Sequence, residues 1–272
     1  MIQLHVTFGL LSWSVDPTVL AGIAALAAAY AWLLRHRGAS LETWSPMSRV
    51  YFAAGLAVLL LALESPIDVG GDRYLFSLHM LQHLMLSMAV PPLLLLGLPA
   101  RWLAWNRFRV HPIVASLVFN GVLVTWHLPF LYQATLTNEG IHVLEHLSFL
   151  ATGVLFWRPI IAPAGARFGL SPIGKIAYLG FAGIPPTILG IAFILSPSVL
   201  YPFYVAAPRV SGLGPLEDQQ LAGLVMFGLG NLIYFGATAV LFFALDRKEA
   251  TAGDPAEAQG PTAIAIGREA GR

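Results

Sequence analysis

Long apolar stretches with almost no charge recur along this chain and restrict what it can fold into. Hydrophobic residues make up 57% of the sequence and charged residues only 11%, whereas ordinary globular domains carry about 25% charged residues. A membrane-spanning helix needs about 20 mostly apolar residues. We find seven such stretches, at residues 18–35, 47–63, 74–97, 112–127, 141–157, 173–195 and 218–245. The sequence therefore predicts an all-α polytopic membrane protein with seven transmembrane helices.

Most of the chain is expected to form one domain. The connections between the apolar stretches are short, so residues 18–245 are predicted to be a single seven-helix unit. Residues 1–17 carry no basic region before their first apolar stretch, which predicts a retained extracytoplasmic segment rather than a cleaved signal peptide. Residues 246–272 are rich in Ala, Gly and Glu without a hydrophobic period, and we expect a disordered cytoplasmic tail.

The positions of the basic residues predict the orientation of the helices. Lys and Arg are retained on the cytoplasmic side of a membrane. With seven spans, thirteen of the fifteen basic residues fall on one side, and only Arg73 and Arg209 fall on the other. This asymmetry predicts a multi-pass membrane protein with its N-terminus outside and its C-terminus in the cytoplasm.

Five of the eight histidines lie within or at the ends of the apolar stretches: His79, His83, His127, His142 and His146. His79 and His83 are four residues apart, as are His142 and His146, so each pair shares one face of a helix. The predicted topology brings all five to the extracytoplasmic end of the bundle. Because polar groups at membrane depth are costly, such a cluster predicts a buried metal or cofactor site.

Other polar residues are expected at the same end of the bundle. We predict that Glu145, Gln82 and Met80 contact the metal or orient its ligands. Asp218 opens the last apolar stretch and is either the N-cap of that helix or a member of the site. A lone His127 beside a tryptophan is also typical of an interfacial residue that bonds to backbone.

The absence of cysteine limits the identity of the metal, because it excludes thiolate ligands and disulfides. Imidazole suits copper, zinc, iron and nickel, and a nitrogen-only set without thiolate that faces an oxidising compartment is compatible with copper or zinc. Two histidines on facing helices also suit haem iron. Retinal is excluded, since residues 218–245 contain no lysine for a Schiff base. The sequence contains no basic patch of the kind that would predict nucleic-acid binding.

The segment 79–99, HMLQHLMLSMAVPPLLLLGLP, closely resembles the signature segment of the CtaG family, seven-span bacterial membrane proteins implicated in the assembly of caa-type cytochrome c oxidases. Similar motifs follow in the same order at 126–129 (WHLP), 142–146 (HVLEH) and 218–223 (DQQLAG). The resemblance implies a non-enzymatic assembly factor that is a multi-pass protein in the lipid bilayer of the bacterial cell membrane. It further implies that the histidines at these positions accept copper from an extracytoplasmic donor and deliver it to the oxidase subunits.

Three alternatives to copper delivery remain open at this stage. His142-x-x-Glu145-His146 matches the H-x-x-E-H pattern, in which two histidines bind zinc and the glutamate is a general base, and this indicates a membrane-embedded metallohydrolase. A haem-binding redox protein and a copper transporter or sensor are the others. The pairs Pro91-Pro92 and Pro185-Pro186 interrupt their helices, and we expect static kinks there, with hinges as the alternative.

Overall fold

The computed structural model describes residues 8–9, 11–37, 45–99, 103, 110–163, 166 and 169–252, without the side chains of residue 37 and residues 247–252. All regular structure among these residues is helical, which confirms the predicted all-α class. Residues 1–7 and 10 of the predicted N-terminal segment and residues 253–272 of the predicted tail lie outside the described residues. The orientation of the termini stays a prediction.

Thirteen α-helices are described. They are α1 (Pro17–Arg37), α2 (Pro46–Glu64), α3 (Pro66–Arg73), α4 (Phe76–Leu84), α5 (Val90–Leu96), α6 (Pro112–Trp126), α7 (Pro129–Thr135), α8 (Glu139–Ile161), α9 (Pro172–Ala182), α10 (Ile184–Leu195), α11 (Pro202–Ala206), α12 (Pro215–Leu224) and α13 (Gly230–Ala252). α13 therefore continues beyond residue 245, where the predicted tail begins.

The described helices form six to seven units that are long and apolar enough to cross a membrane. Six qualify directly, and the seventh is the pair α6 and α7, which is bent by 79°. The bend falls at His127 and Leu128 because Pro129 disfavours a helical conformation in the residue before it. The molecule is thus a polytopic helical protein, and its fourth predicted span is a short helix that ends at the histidine.

Helix starts follow from local sequence. Eight of the described helices, including α2, α3 and α9, begin with a proline, a position where the missing N–H costs nothing. Ser45, Ser65 and Ser171 accept a hydrogen bond from a backbone amide of the helix that follows them. Asn138 caps α8 in the same way through Ile141 N. These caps place the start of α8, with its histidine pair, at a defined position.

Two of the long units contain a π-helical turn, at Met85–Ala89 between α4 and α5 and at Val225–Leu229 between α12 and α13. Such turns are frequent at functional sites. In the first unit Pro91 has no N–H to give to the carbonyl of Ser87. Gly153 of α8 packs there so closely that a Cβ atom would lie 2.7 Å from that carbonyl oxygen. This close approach brings the two histidine-bearing helices together.

The second proline pair coincides with a break in the sixth unit. α9 ends at Ala182 and α10 begins at Ile184, with Gly183 between them. The helix is therefore interrupted beside the proline pair, and whether this break is a static kink or a hinge stays a prediction.

An aromatic cluster closes the end of the bundle that holds the histidines. Its central members are Phe76, Tyr132, Phe193, Tyr201 and Tyr204, each of them nearly inaccessible to solvent. The ring centroids of Phe76 and Tyr201 are 4.8 Å apart, and those of Tyr132 and Tyr201 are 4.2 Å apart. Aromatic contacts of this kind add to the free energy gained from burial and stabilise this end of the bundle.

Candidate metal centre

Four ligand-type side chains converge between α4 and α8. One nitrogen or oxygen each from His79, His142, Glu145 and His146 lies within 4.8 Å of all the others. His79 and Glu145 are fully buried, and the other two are partly buried. At metal–nitrogen bonds of about 2.0–2.1 Å, the ligand atoms of a tetrahedral site are about 3.4 Å apart. The group is therefore somewhat more open than a closed metal site.

The polar atoms of this region are buried without hydrogen-bond partners. They are both ring nitrogens of His79 and of His83, both carboxylate oxygens of Glu145, Nε2 of His142 and of His146, and Oδ1 of Asp72. Buried polar groups are normally hydrogen-bonded, and an unsatisfied one costs about 1–3 kcal/mol. A single cation would satisfy several of these atoms together, so the donor set fits a metal ion.

Glu145 occupies the centre of the cluster. Its Oε2 is 3.7 Å from His79 Nε2, and its Oε1 is 3.6 Å from His83 Nε2. Both separations are too long for hydrogen bonds. His142, Glu145 and His146 share one face of α8 because they are three and four residues apart. The Glu145 carboxylate therefore faces His79 and His83 of α4 from the same face of α8 that carries His142 and His146.

Asp72 is a member of the site that the sequence analysis missed. Its Oδ1 is 3.3 Å from His142 Nε2 and 3.6 Å from His79 Nδ1. The residue lies in the last turn of α3, so no helical period connects it with the histidines. Gly71 beside it allows the approach, because a Cβ atom there would lie 2.9 Å from the backbone of His79. The sequence signal was a lone carboxylate after two glycines, seven residues before His79.

His83 and His127 lie next to the four-ligand group rather than within it. The ring centroid of His83 is 5.7 Å from that of His146 and 6.0 Å from that of His127. Nδ1 of His127 is 2.7 Å from the carbonyl oxygen of Leu123, and its Nε2 is 3.2 Å from Met80 Sδ. All five histidines are therefore in one contiguous cluster, in which three share the ligand group. The carbonyl contact of His127 also matches the alternative of a backbone-bonded residue, but the side chain is buried.

A small cavity borders the deeper side of the cluster. It is lined by Met80, His83 and His127 together with apolar side chains. Its volume of about 40 Å³ admits an ion or a water molecule and is far too small for a haem group. The cavity therefore gives no support to the haem alternative.

Gln82 and Asp218 have roles other than the expected ones. Gln82 is turned away from the histidines and donates to the carbonyl of Ala62 and to Asp68. Asp218 accepts hydrogen bonds from Phe76 N at 2.6 Å, from Ser77 N at 3.2 Å and from Ser77 Oγ at 2.6 Å. It thus caps α4, whereas its own helix is capped at Gly214. Asp218 is therefore a helix-capping residue, as one of the two predictions for it stated, but it caps α4 and not the helix in which it lies.

Three tyrosines of the aromatic cluster support the site. The hydroxyl of Tyr204 donates to the carbonyl of Gly71 at 2.8 Å, so the hydroxyl of Tyr132, 3.0 Å away, donates to Tyr204. Burial raises the pKa of Tyr204 well above its ordinary value, which keeps the hydroxyl protonated. Tyr201 donates to the carbonyl of His127 at 2.9 Å. These bonds hold the backbone on both sides of the cluster.

A polar vestibule leads to the group from the end of the bundle. The cavity has a volume of about 460 Å³. Asp72, Glu139 and His142 line it, along with Arg73 and the turn after α7. Because Asp72 and His142 are the members of the site that line this vestibule, a cation entering it meets them first.

Known proteins similar to this chain point to one family. The family described as cytochrome c oxidase caa3 assembly factor (Caa3_CtaG) matches residues 27–248. Uncharacterised proteins of Mycobacterium bovis and Mycobacterium tuberculosis are each 29% identical to the chain over 252 residues, and one of Mycobacterium leprae is 24% identical over 248 residues. These matches cover 81% of the chain, which spans only 37% of the length of each relative. No solved structure matches the chain significantly.

Proposed function

The chain belongs to the cytochrome c oxidase caa3 assembly factor family, and we propose that it serves oxidase assembly by binding copper through its buried histidines and delivering the ion to the oxidase. Copper is the cargo in this proposal, and the oxidase subunits are the clients. The observation that carries it is the convergence of His79, His142, Glu145 and His146 with their polar atoms left without hydrogen-bond partners.

The chemistry of the ligands suits transfer. Imidazole and carboxylate groups bind copper without the thiolates that hold soft metals most strongly. Two carboxylates, Glu145 and Asp72, surround the histidines and supply the negative charge that a cation requires. A site of this kind holds copper and still releases it by ligand exchange to another set of histidines.

The vestibule supplies the route of entry. Asp72 and Glu139 contribute two carboxylates to its wall beside the single basic residue Arg73, and His142 presents a partly exposed ring at its inner end. Copper from an extracytoplasmic donor would reach His142 and Asp72 before the fully buried His79 and Glu145. This order predicts stepwise loading of the site from its open side.

Metal binding by the purified full-length protein tests the proposal. We expect the wild-type chain in detergent to bind copper, and the double variant His79→Ala/His142→Ala to lose that site. The matched control is His36→Ala, because His36 is an exposed histidine in the last turn of α1 and is not a member of the histidine cluster. Equal copper content and affinity in all three proteins would overturn the proposal.

The proposed delivery also requires the site to face the extracytoplasmic side. The chain contains no cysteine, so single cysteines introduced at Thr137 and Asp246, both exposed, report on the two ends of the bundle. In intact cells a membrane-impermeant maleimide should label Thr137→Cys and not Asp246→Cys. The reverse labelling would place the site on the cytoplasmic side and contradict delivery from an extracytoplasmic donor.

A second candidate function uses the same ligands. His142, Glu145 and His146 converge as an H-x-x-E-H zinc hydrolase requires, and His79 supplies a further nitrogen. In that case Glu145 is a general base, and Glu145→Gln should leave zinc bound while removing a hydrolytic activity. In the copper proposal Glu145 belongs to the metal group, and the same substitution should weaken the binding of the metal itself.

A further inference from the structure

His127 is held in one tautomer by its contact with the backbone. Its Nδ1 is 2.7 Å from the carbonyl oxygen of Leu123, which can only accept a hydrogen bond. Nδ1 therefore carries the proton. In the neutral ring Nε2 then has a free lone pair, and this lone pair is directed at Met80 Sδ, 3.2 Å away. Neither atom can donate a hydrogen bond to the other.

Two electron-pair donors that face each other at this distance are typical of ligands placed around a cation. Metal–nitrogen bonds of about 2.0–2.1 Å and metal–sulfur bonds of about 2.3 Å let one ion reach both atoms across a 3.2 Å gap. Met80 and His127 are 1% and 6% exposed, so bulk water does not reach the sulfur of Met80 or Nε2 of His127. The pair comes from different helices, α4 and the end of α6.

His83 provides a third donor at the same place. Both of its ring nitrogens are buried without a hydrogen-bond partner, and the residue lines the small cavity together with Met80 and His127. Its Nε2 is also 3.6 Å from Glu145 Oε1. His83 thus stands between the four-ligand group and the Met80–His127 pair, within reach of both.

We propose that Met80 and His127, assisted by His83, form a second binding station that is selective for monovalent copper. A thioether sulfur is a soft ligand that favours Cu(I), whereas the nitrogen and oxygen ligands of the four-ligand group accept other cations as well. The inference rests on the proposed function for the identity of the cargo. It divides the histidine cluster into an outer station, which receives the ion, and an inner station, which His83 connects to it.

X-ray absorption of the full-length protein in detergent, loaded anaerobically with Cu(I), tests this station. The wild-type chain should bind two copper ions and show sulfur scattering at about 2.3 Å. Met80→Leu keeps the side-chain volume, and it should bind one ion fewer and lose the sulfur signal. Met85→Leu is the matched control, because Met85 packs in a different apolar cluster of the same unit and should leave both results unchanged.

Two further variants keep the test decisive. His127→Gln should lose the same ion as Met80→Leu, so that impaired folding of one variant does not decide the result. His79→Ala/His142→Ala should retain the ion that shows sulfur scattering. Wild-type protein that binds copper through nitrogen and oxygen alone, or sulfur scattering that persists in Met80→Leu, would overturn the second station while leaving the proposed delivery function in place. A failure of the delivery function would instead appear as an unchanged copper content in His79→Ala/His142→Ala.

Discussion

Asp218 holds Ser77 by two hydrogen bonds, accepting from its backbone N–H at 3.2 Å and from its hydroxyl at 2.6 Å. The N-cap residue of α4, Leu75, makes no side-chain cap of its own. The helix that carries His79 and His83 is therefore capped by a residue 141 positions later in the chain. Through this contact the last membrane unit fixes the orientation of the first histidine pair.

Asp218→Ala should loosen the metal site without removing a ligand. Loss of a helix cap costs about 0.5–2 kcal/mol of unfolding free energy, and loss of a group that orients ligands lowers metal affinity about 10–100-fold. Thermal unfolding and copper titration in detergent measure the two effects. Glu217→Ala is the control, since Glu217 accepts from Gly214 N and supports only its own helix. Equal copper affinity in Asp218→Ala and the wild type would contradict the positioning role.

Glu145→Gln should lower copper affinity by at least about tenfold, because the carboxylate lies between His79 and His83 and its charge offsets that of the ion. The substitution preserves size and leaves the helix intact. Copper titration with a competing chelator measures the change, and Glu217→Gln, which alters an exposed carboxylate, should be without effect. A wild-type affinity in Glu145→Gln would exclude Glu145 from the metal group.

Gly71→Ala should damage the site through the backbone. The added methyl group would lie 2.9 Å from both N and Cα of His79, and neither can move without shifting α4. We expect a loss of about 1–3 kcal/mol of unfolding free energy together with weakened copper binding. Gly121→Ala, where a Cβ atom meets nothing within 4 Å, should be neutral in both measurements. Similar behaviour of the two variants would contradict the close packing of α3 on α4.

Tyr204→Phe removes the donor to the carbonyl of Gly71 and the acceptor for the hydroxyl of Tyr132. Gly71 and Tyr132 are both buried, so we expect the substitution to lower the free energy of unfolding by about 1–3 kcal/mol. Because burial keeps Tyr204 protonated, the difference in thermal unfolding midpoint between Tyr204→Phe and the wild type should be the same at neutral and at moderately alkaline pH. Tyr51→Phe, at a half-exposed tyrosine, is the control. A midpoint equal to that of the wild type would show that the bond contributes nothing.

The sequence predicted the membrane architecture and the histidine cluster because both depend on short-range patterns. Apolar stretches defined the spans, and the spacing of His79 with His83 and of His142 with His146 defined two shared faces. Antiparallel succession of the spans then brought these faces to one end. Ring contacts join all five histidines in one cluster, and metal binding stays a prediction.

The parts that the sequence did not predict depend on contacts between distant segments. Nothing local distinguishes Asp72 from an ordinary loop carboxylate, and nothing in the start of α12 shows that Asp218 caps another helix. Gln82 shares the span of the histidine pair, yet its face turns toward α2 and α3. Side-chain direction at a three-helix junction follows from packing rather than from spacing along one helix.

The copper content of the oxidase itself tests the central claim most directly. A cell whose own copy is replaced by the His79→Ala/His142→Ala chain, present in the membrane at wild-type level, should assemble the oxidase polypeptides with their haem. That oxidase should have the same low copper-to-iron ratio as oxidase from a cell that lacks the protein. A copper-to-iron ratio equal to that of the wild type in cells carrying the double variant would contradict copper delivery by this site.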